Sequence, residues 1–289
     1  MYVVKIGGAA GIDAAAVCAD LAAHWRAGQR LVLMHGGSAA TDQLAVALGH
    51  PPCFVTSASG QVSRRTDPRT LEIFIMATAA INRRLVAALQ AQGVNALGLC
   101  GLDGRLIQAR RKPAIRVIED GRERVIRDDW TGTPTTANGA LLRSLLDAGY
   151  LPVVAPLAAG APGEALNIDG DRGAALLAGT LRAEALILLT NVPGLLRHYP
   201  DEQTLIPHVP GAALEAMTAH AAGRMRKKLL GAAEALAAGV PRVIIAAGRG
   251  AAPLGAALAG GGTLIGAART PQTPSYAGAE RTPHEHSYA

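Results

Sequence analysis

Aromatic side chains are nearly absent from this 289-residue chain, making up 3% of it. Its core must be built from alanine, valine, leucine and isoleucine, and surfaces that stack bases on aromatic rings are largely ruled out. Cysteine is scarce too. Cys18, Cys53 and Cys100 are odd in number and widely spaced, which fits neither a disulfide framework nor a Cys-x-x-Cys metal site. All three are expected as buried or half-buried small side chains. No apolar run approaches the roughly 20 residues needed to cross a bilayer. Met1 leads into a short apolar strand carrying Lys5, with no signal-like stretch. The expectation is a soluble, cytoplasmic protein with no membrane partner. Lysine is the last scarcity: Lys5, Lys112, Lys227 and Lys228 are the only four among 28 basic side chains, the rest being arginine.

What is present is apolar and rich in turns, with 49% hydrophobic residues and 34 glycines. Strand and helix patterns alternate from the start. Residues 2–6 read as a strand, 13–26 as a helix ended by Gly28, and 30–34 as a second strand before His35-Gly36-Gly37-Ser38 and another helix. A long helix at 69–91 follows the polar segment 63–67, and Gly93 separates it from a strand at 94–99. Residues 105–127 break the rhythm with β-branched runs around Asp120-Gly121, a hairpin signal. Alternation then resumes, with helices at 137–148, from Asp171 and at 223–238. Strands are expected at 151–155, 185–190, 242–247 and 262–266. Such alternation implies an α/β fold with an open, mainly parallel sheet covered on both faces. Residues 268–289, rich in Pro, Thr, Ser, His and Gly, are expected to be a disordered tail.

The formal charge of +6 and a pI near 9.6 admit nucleic acid, an anionic substrate or an acidic protein as partner. The excess is local: between Arg105 and Arg127 there are eight basic residues and three acidic ones. Two glycine turns, Gly7-Gly8 and Gly36-Gly37, each follow a strand and precede a helix. In a parallel sheet both open at the carboxyl edge, where backbone N–H groups and helix N-termini receive anions. Neither Gly-x-x-x-x-Gly-Lys-Ser/Thr nor Gly-x-Gly-x-x-Gly after a strand is present, which excludes the usual P-loop and argues against a dinucleotide dehydrogenase. Lys5 sits inside an apolar strand just before the first turn, where an inward ammonium needs an anionic partner.

Six short strings in order resemble the amino-acid kinase family, in its acetylglutamate kinase branch. They are Val-Lys5-Ile-Gly7-Gly8, His35-Gly36-Gly37, Ser63-Arg64-Arg65-Thr66-Asp67, Asn167-Ile-Asp169-Gly170-Asp171, Thr190-Asn191-Val192-Pro193-Gly194 and Gly223-Arg224-Met225-x-x-Lys228. Each is weak alone; the ordered set spans Lys5 to about Gly266. Gly-Arg-Met replaces the branch's usual Gly-Gly-Met, and His-Gly-Gly-Ser replaces a third glycine. These variants resemble the subfamily that phosphorylates 2-aminoadipate tethered to a small acidic amino-group carrier protein. The resemblance implies a three-layer αβα sandwich over 1–267, usually a homodimer. Residues 1–160 would be mainly the substrate and dimer lobe, and 161–267 mainly the ATP lobe.

The resemblance also implies roles. Lys5 and Lys228 would flank the transferring phosphoryl group, with Asp171 orienting both ammonium groups. Gly36, Gly37, Arg64 and Asn167 would hold the substrate, with Arg65 as a competitor for the role of Arg64. Gly7, Gly8, Thr190, Asn191, Gly194, Leu195, Gly223 and Met225 would hold ATP, and Lys227 would face solvent or the carrier. ATP implies Mg2+, for which no dedicated protein cage is evident. Arg110, Arg111, Lys112, Arg116, Arg122 and Arg124 would form a carrier-docking patch. A carboxylate nucleophile is already ionised at neutral pH, so the chemistry needs cations and N–H donors rather than a general base. Two other functions compete: a free N-acetylglutamate kinase, and a non-catalytic regulator that binds nucleic acid. The latter is disfavoured by the intact lysines and the lack of aromatics; no nucleic-acid partner is expected.

Overall fold

The computed structural model describes residues 1–8, 11–57, 62–119, 122–161, 163–221 and 223–267. The first part runs β1 (Tyr2–Ile6), α1 (Ala14–Arg26), β2 (Leu31–His35), α2 (Ser38–Ala47), β3 (Phe54–Ser57), β4 (Val62–Arg64) and α3 (Pro68–Ala91). There follow β5 (Ala96–Gly101), β6 (Ile107–Arg111), β7 (Ile115–Glu119), β8 (Arg122–Ile126), β9 (Thr131–Ala137), α4 (Gly139–Asp147), β10 (Leu151–Ala159) and β11 (Ala165–Ile168). The last part comprises α5 (Gly170–Leu181), β12 (Ala185–Thr190), β13 (His208–Val209), α6 (Leu214–His220), α7 (Gly223–Ala237), β14 (Arg242–Ala247), α8 (Pro253–Leu258) and β15 (Thr263–Gly266).

Five parallel strands, in the order β10-β2-β1-β12-β14, form the middle of the main sheet. Their apolar runs are buried on both faces, as sheets sandwiched between helices require. Alternate residues serve opposite layers. On β1, Val3 packs towards α4, α5 and α7, while Tyr2, Val4 and Ile6 pack towards α1, α3 and α8. The result is the expected αβα sandwich, with antiparallel pairs β14–β15, β10–β11 and β6–β9 towards its edges. Asp13, Asp67, Asn138 and Asp169 cap α1, α3, α4 and α5 by accepting backbone N–H bonds, each worth about 1 kcal/mol.

A separate four-stranded antiparallel sheet, β4-β3-β7-β8, stands beside the carboxyl edge of the main sheet. The hairpin expected in the basic window is present as β7–β8, and its Asp120-Gly121 turn lies outside the described residues. The window is not one hairpin, however. β6 pairs with β9 in the main sheet, so Arg110 and Arg111 stand on a different sheet from Arg116, Arg122 and Arg124. Cys18 is buried and Cys100 half-buried as expected, but Cys53 is exposed, because it enters β3 outside the two main packed layers. The tail 268–289 also lies outside the described residues. No described helix is long and apolar enough to cross a membrane.

Candidate active site

A cavity of about 1020 Å³ opens where the glycine turns leave β1 and β2, and Lys5, Asp171 and Lys228 lie on its wall. Lys5 shares the face of Val3 on β1, which points it at the first turn of α5. Asp171 lies in that turn, so the helix dipole favours its charge. Gly231 lets α7 pass close to α5, since a Cβ there would meet the Asp171 backbone at 3.1 Å. That passage brings Lys228, three residues earlier on α7, to the same carboxylate. Lys5 Nζ is 2.6 Å from Asp171 Oδ1, and Lys228 Nζ is 3.1 Å from Oδ2. All three side chains are buried.

Burial by itself raises the Asp171 pKa, but the charges of Lys5 and Lys228 outweigh it and hold the carboxyl well below the usual carboxylate range. Lys228 is lowered from the ordinary lysine value, first by burial and then by the Lys5 charge, with Asp171 opposing. Two buried cations thus face one buried anion on the cavity wall. A further anion between the ammonium groups balances the set.

The two glycine turns pack backbone against backbone. A Cβ at Gly8 would lie 2.4 Å from Gly37 N, and one at Gly36 would lie 2.5 Å from Gly8 N. Only glycine permits this approach. It gathers the amides of Gly8, Gly37 and Ser38, the last opening α2, into one small region of the cavity wall. Gly7 lines the same wall, its N–H held by the Leu189 carbonyl at 3.0 Å.

On the other side, Arg64 pairs with Asp42, donates to the Ser38 carbonyl at 3.2 Å, and lies on the cavity wall. Arg65 does not line the cavity; it pairs with Asp128 at 2.7 Å. The structure therefore distinguishes the two arginines. Asn167 also lines the cavity and donates from Nδ2 to Thr66 Oγ1 at 3.0 Å. Sequence reasoning missed Asp129. It is buried on the cavity wall, accepts from the N–H of Thr66 and of Thr131 at 3.0 Å each, and so holds the residue on which Asn167 rests. A buried aspartate in a loop carries no local signal of such a role. Asp169, quoted only as part of a motif, lines the cavity while capping α5.

Thr190, Asn191, Gly194, Leu195 and Met225 all border the cavity. Gly194 and Leu195 are fixed by Thr263. A Cβ at Gly194 would meet its hydroxyl at 2.5 Å, and Leu195 N–H donates to that hydroxyl at 2.8 Å. Gly223 is not on the wall; with φ at +56° it starts α7. Lys227, expected to face solvent or the carrier, borders the cavity and is half-buried. No cluster of three or more His, Cys, Asp or Glu suited to a metal occurs among the described residues.

The six-residue basic patch does not form one surface. Arg111 is used internally: its guanidinium stacks 3.9 Å from the Trp130 ring, Nε donates to the Asp129 carbonyl at 2.8 Å, and it pairs with Glu164. In the β7–β8 register, Arg122 and Arg124 share a face with Val117, while Arg116 shares the opposite face with Glu123, its ion partner. Arg110 and Lys112 are exposed, and Lys112 borders the cavity.

Residues 1–247 match the Amino acid kinase family, and the chain belongs to it. Within that family it is 55% identical over 266 residues to the [LysW]-aminoadipate kinase of Deinococcus radiodurans, covering 92% of this chain and 91% of the relative. It is 52% identical over 268 residues to the [LysW]-aminoadipate kinase of Thermus thermophilus, covering 92% and 100%. Among solved structures, N-acetylglutamate synthase from Neisseria gonorrhoeae, complexed with coenzyme A and N-acetyl-glutamate, matches with a TM-score of 0.73 and 30% identity. That match covers 93% of this chain, which spans 60% of the synthase chain.

Proposed function

We propose that this enzyme transfers the γ-phosphoryl group of ATP to the side-chain carboxylate of L-2-aminoadipate carried by a small acidic amino-group carrier protein, as a step of lysine biosynthesis. A carboxylate oxygen forms the new bond to the γ-phosphorus, the bond to the β,γ-bridging oxygen breaks, and ADP leaves with that electron pair. The observation that carries this reading is the convergence of Lys5 and Lys228 on Asp171 beside the glycine turns. The lysines neutralise charge on the equatorial oxygens and the bridging oxygen, and Asp171 keeps both ammonium groups aimed. The amides of Gly8 and Gly37 add donors from the opposite side. Arg64 and Asn167 hold the backbone end of the substrate, and the segment from Thr190 to Leu195, with Met225, receives the nucleotide. Mg2+ brought in with the nucleotide would shield the charge of the phosphates from the attacking carboxylate.

In this reading residues up to about 160 serve the carrier-borne substrate and residues 161–267 the nucleotide. The enzyme works in the cytoplasm as a homodimer. Carrier-linked glutamate is one methylene shorter, a difference pockets discriminate by only about 1–3 kcal/mol, so it is a second substrate to test. The test traps acyl phosphate as hydroxamate, offering carrier-linked aminoadipate, carrier-linked glutamate and free N-acetylglutamate side by side. ATP-dependent product with the first supports the proposal. Product with N-acetylglutamate alone replaces it with the acetylglutamate kinase reading.

A further inference from the structure

Behind the glycine turns lies a buried pair that the chemistry above does not use. His35 ends β2 with no exposed surface, and Asn82 faces it from α3, also buried. Asn82 Nδ2 donates to the Val153 carbonyl at 2.8 Å and lies 3.2 Å from His35 Nε2 and 3.3 Å from the Leu99 carbonyl. Its Oδ1 is buried and meets no donor among the described residues. Gly98 makes room for that oxygen, since a Cβ there would lie 2.1 Å from it. This arrangement fixes the amide as a donor. Turned over, Oδ1 would face two carbonyl oxygens. His35 Nε2 must then accept, so its proton sits on Nδ1, and Nδ1–H donates to the Gly36 carbonyl at 3.0 Å. Burial pushes the imidazole down to about 4; the Gly36 carbonyl opposes this and the Lys5 charge adds to it, so the ring is neutral in use.

The consequence lies in the peptide unit itself. In a planar trans peptide, the carbonyl of Gly36 and the N–H of Gly37 point in opposite directions. A carbonyl tied back to the imidazole therefore turns the Gly37 N–H the other way, and Gly37 lines the cavity. Glycine at 36 is required by the close approach to Gly8, and at 37 a Cβ would meet Thr78 Cγ2 at 2.6 Å; glycine on both sides also leaves this peptide free to flip. A flipped unit would present a carbonyl oxygen, not a donor, to a phosphate. The loop needs a lock.

We propose that His35, oriented by Asn82, is a positioning residue that locks the Gly36–Gly37 peptide with its N–H towards the transferring phosphoryl group. The inference rests on the phosphoryl-transfer reading of the cavity. Asparagine places an amide N–H about where Nδ1–H lies, whereas glutamine reaches only the Nε2 position. In the hydroxamate assay, H35N keeps kcat within about threefold of the parent, while H35Q and H35L lose about tenfold to a hundredfold in kcat with little change in KM for ATP. Circular dichroism and a thermal midpoint show which variants fold, and H35Q alone serves if H35L does not. Nitrogen-15 NMR of the unmodified enzyme reads the tautomer independently, with the proton expected on Nδ1. An Nε2–H tautomer, or H35N as impaired as H35Q, overturns the proposal. Failure of the parent enzyme to form product instead overturns the phosphoryl-transfer reading and leaves the tautomer result standing.

Discussion

At the scale of single residues, the central set is Lys5, Asp171 and Lys228, whose charges are stable in burial only together. Removing Asp171 from this set leaves two buried ammonium groups without their counter-charge, at a cost of about 3–5 kcal/mol. The lowered pKa of Lys228 sets a pH dependence. A lysine carries its charge below its pKa, so a value below the ordinary 10.5 brings the loss of that charge into less alkaline solution. As pH rises, kcat/KM for ATP, which reports the free enzyme, is expected to fall on an alkaline limb below 10.5. In Lys228→Arg, whose guanidinium does not titrate there, that limb moves to higher pH even though the overall rate is lower. An unmoved limb in the pH–rate profile would assign it to another group. Lys5 stood out in the sequence because lysine is so scarce and this one sits inside an apolar strand, whereas Lys228 was singled out from Lys227 by the family string that begins at Gly223. Asp129 and Asn82 had no comparable signal, and His35 stood only as a member of a family string, with no role attached. Each owes its place to a partner 47 or 63 positions away, and no local pattern encodes such a pairing.

At the scale of elements, the two glycine turns depend on each other. Gly8→Ala puts a methyl group where the Gly37 and Ser38 amides now lie, at 2.4 and 2.6 Å, and backbone must move to admit it. The expected result is a loss of about a hundredfold or more in kcat/KM, from displaced donors, with the fold retained by circular dichroism. Activity within threefold of the parent would show that the amides are not used. The turns and the five central strands were legible because a buried parallel strand reads as a continuous apolar run ended by glycine. The β3–β4 pair, β9 and β11 were not. β4 and β11 are three and four residues long, and β9 holds Pro134. Such edge segments are defined by their neighbours more than by their own pattern.

At the scale of the molecule, one sheet joins both halves of the chain, and the side chains of Lys5 and Lys228 meet on one face of it. The class of fold was legible from βα alternation. The strand order was not, because pairing β1 with β12 depends on contacts some 180 residues apart. Nor was the division of the basic window between two sheets, since charge counts along a chain say nothing of faces. Of the docking reading, Arg111 is used internally, while Arg110, Lys112, Arg116, Arg122 and Arg124 are exposed on more than one face, with Lys112 and Arg116 at the cavity rim. Lys112→Glu is expected to raise KM for carrier-linked substrate about tenfold and flatten its salt dependence, leaving KM for ATP unchanged, as titrations between 50 and about 300 mM salt would read. A salt response equal to the parent's would remove Lys112 from the docking surface. The most direct measurement of the whole account is single-turnover phosphoryl transfer in Lys228→Met with ATP and carrier-linked aminoadipate both bound. The account predicts a transfer rate about a hundredfold to a thousandfold slower, with ATP affinity within a few-fold of the parent's. Transfer at the parent's rate would contradict it.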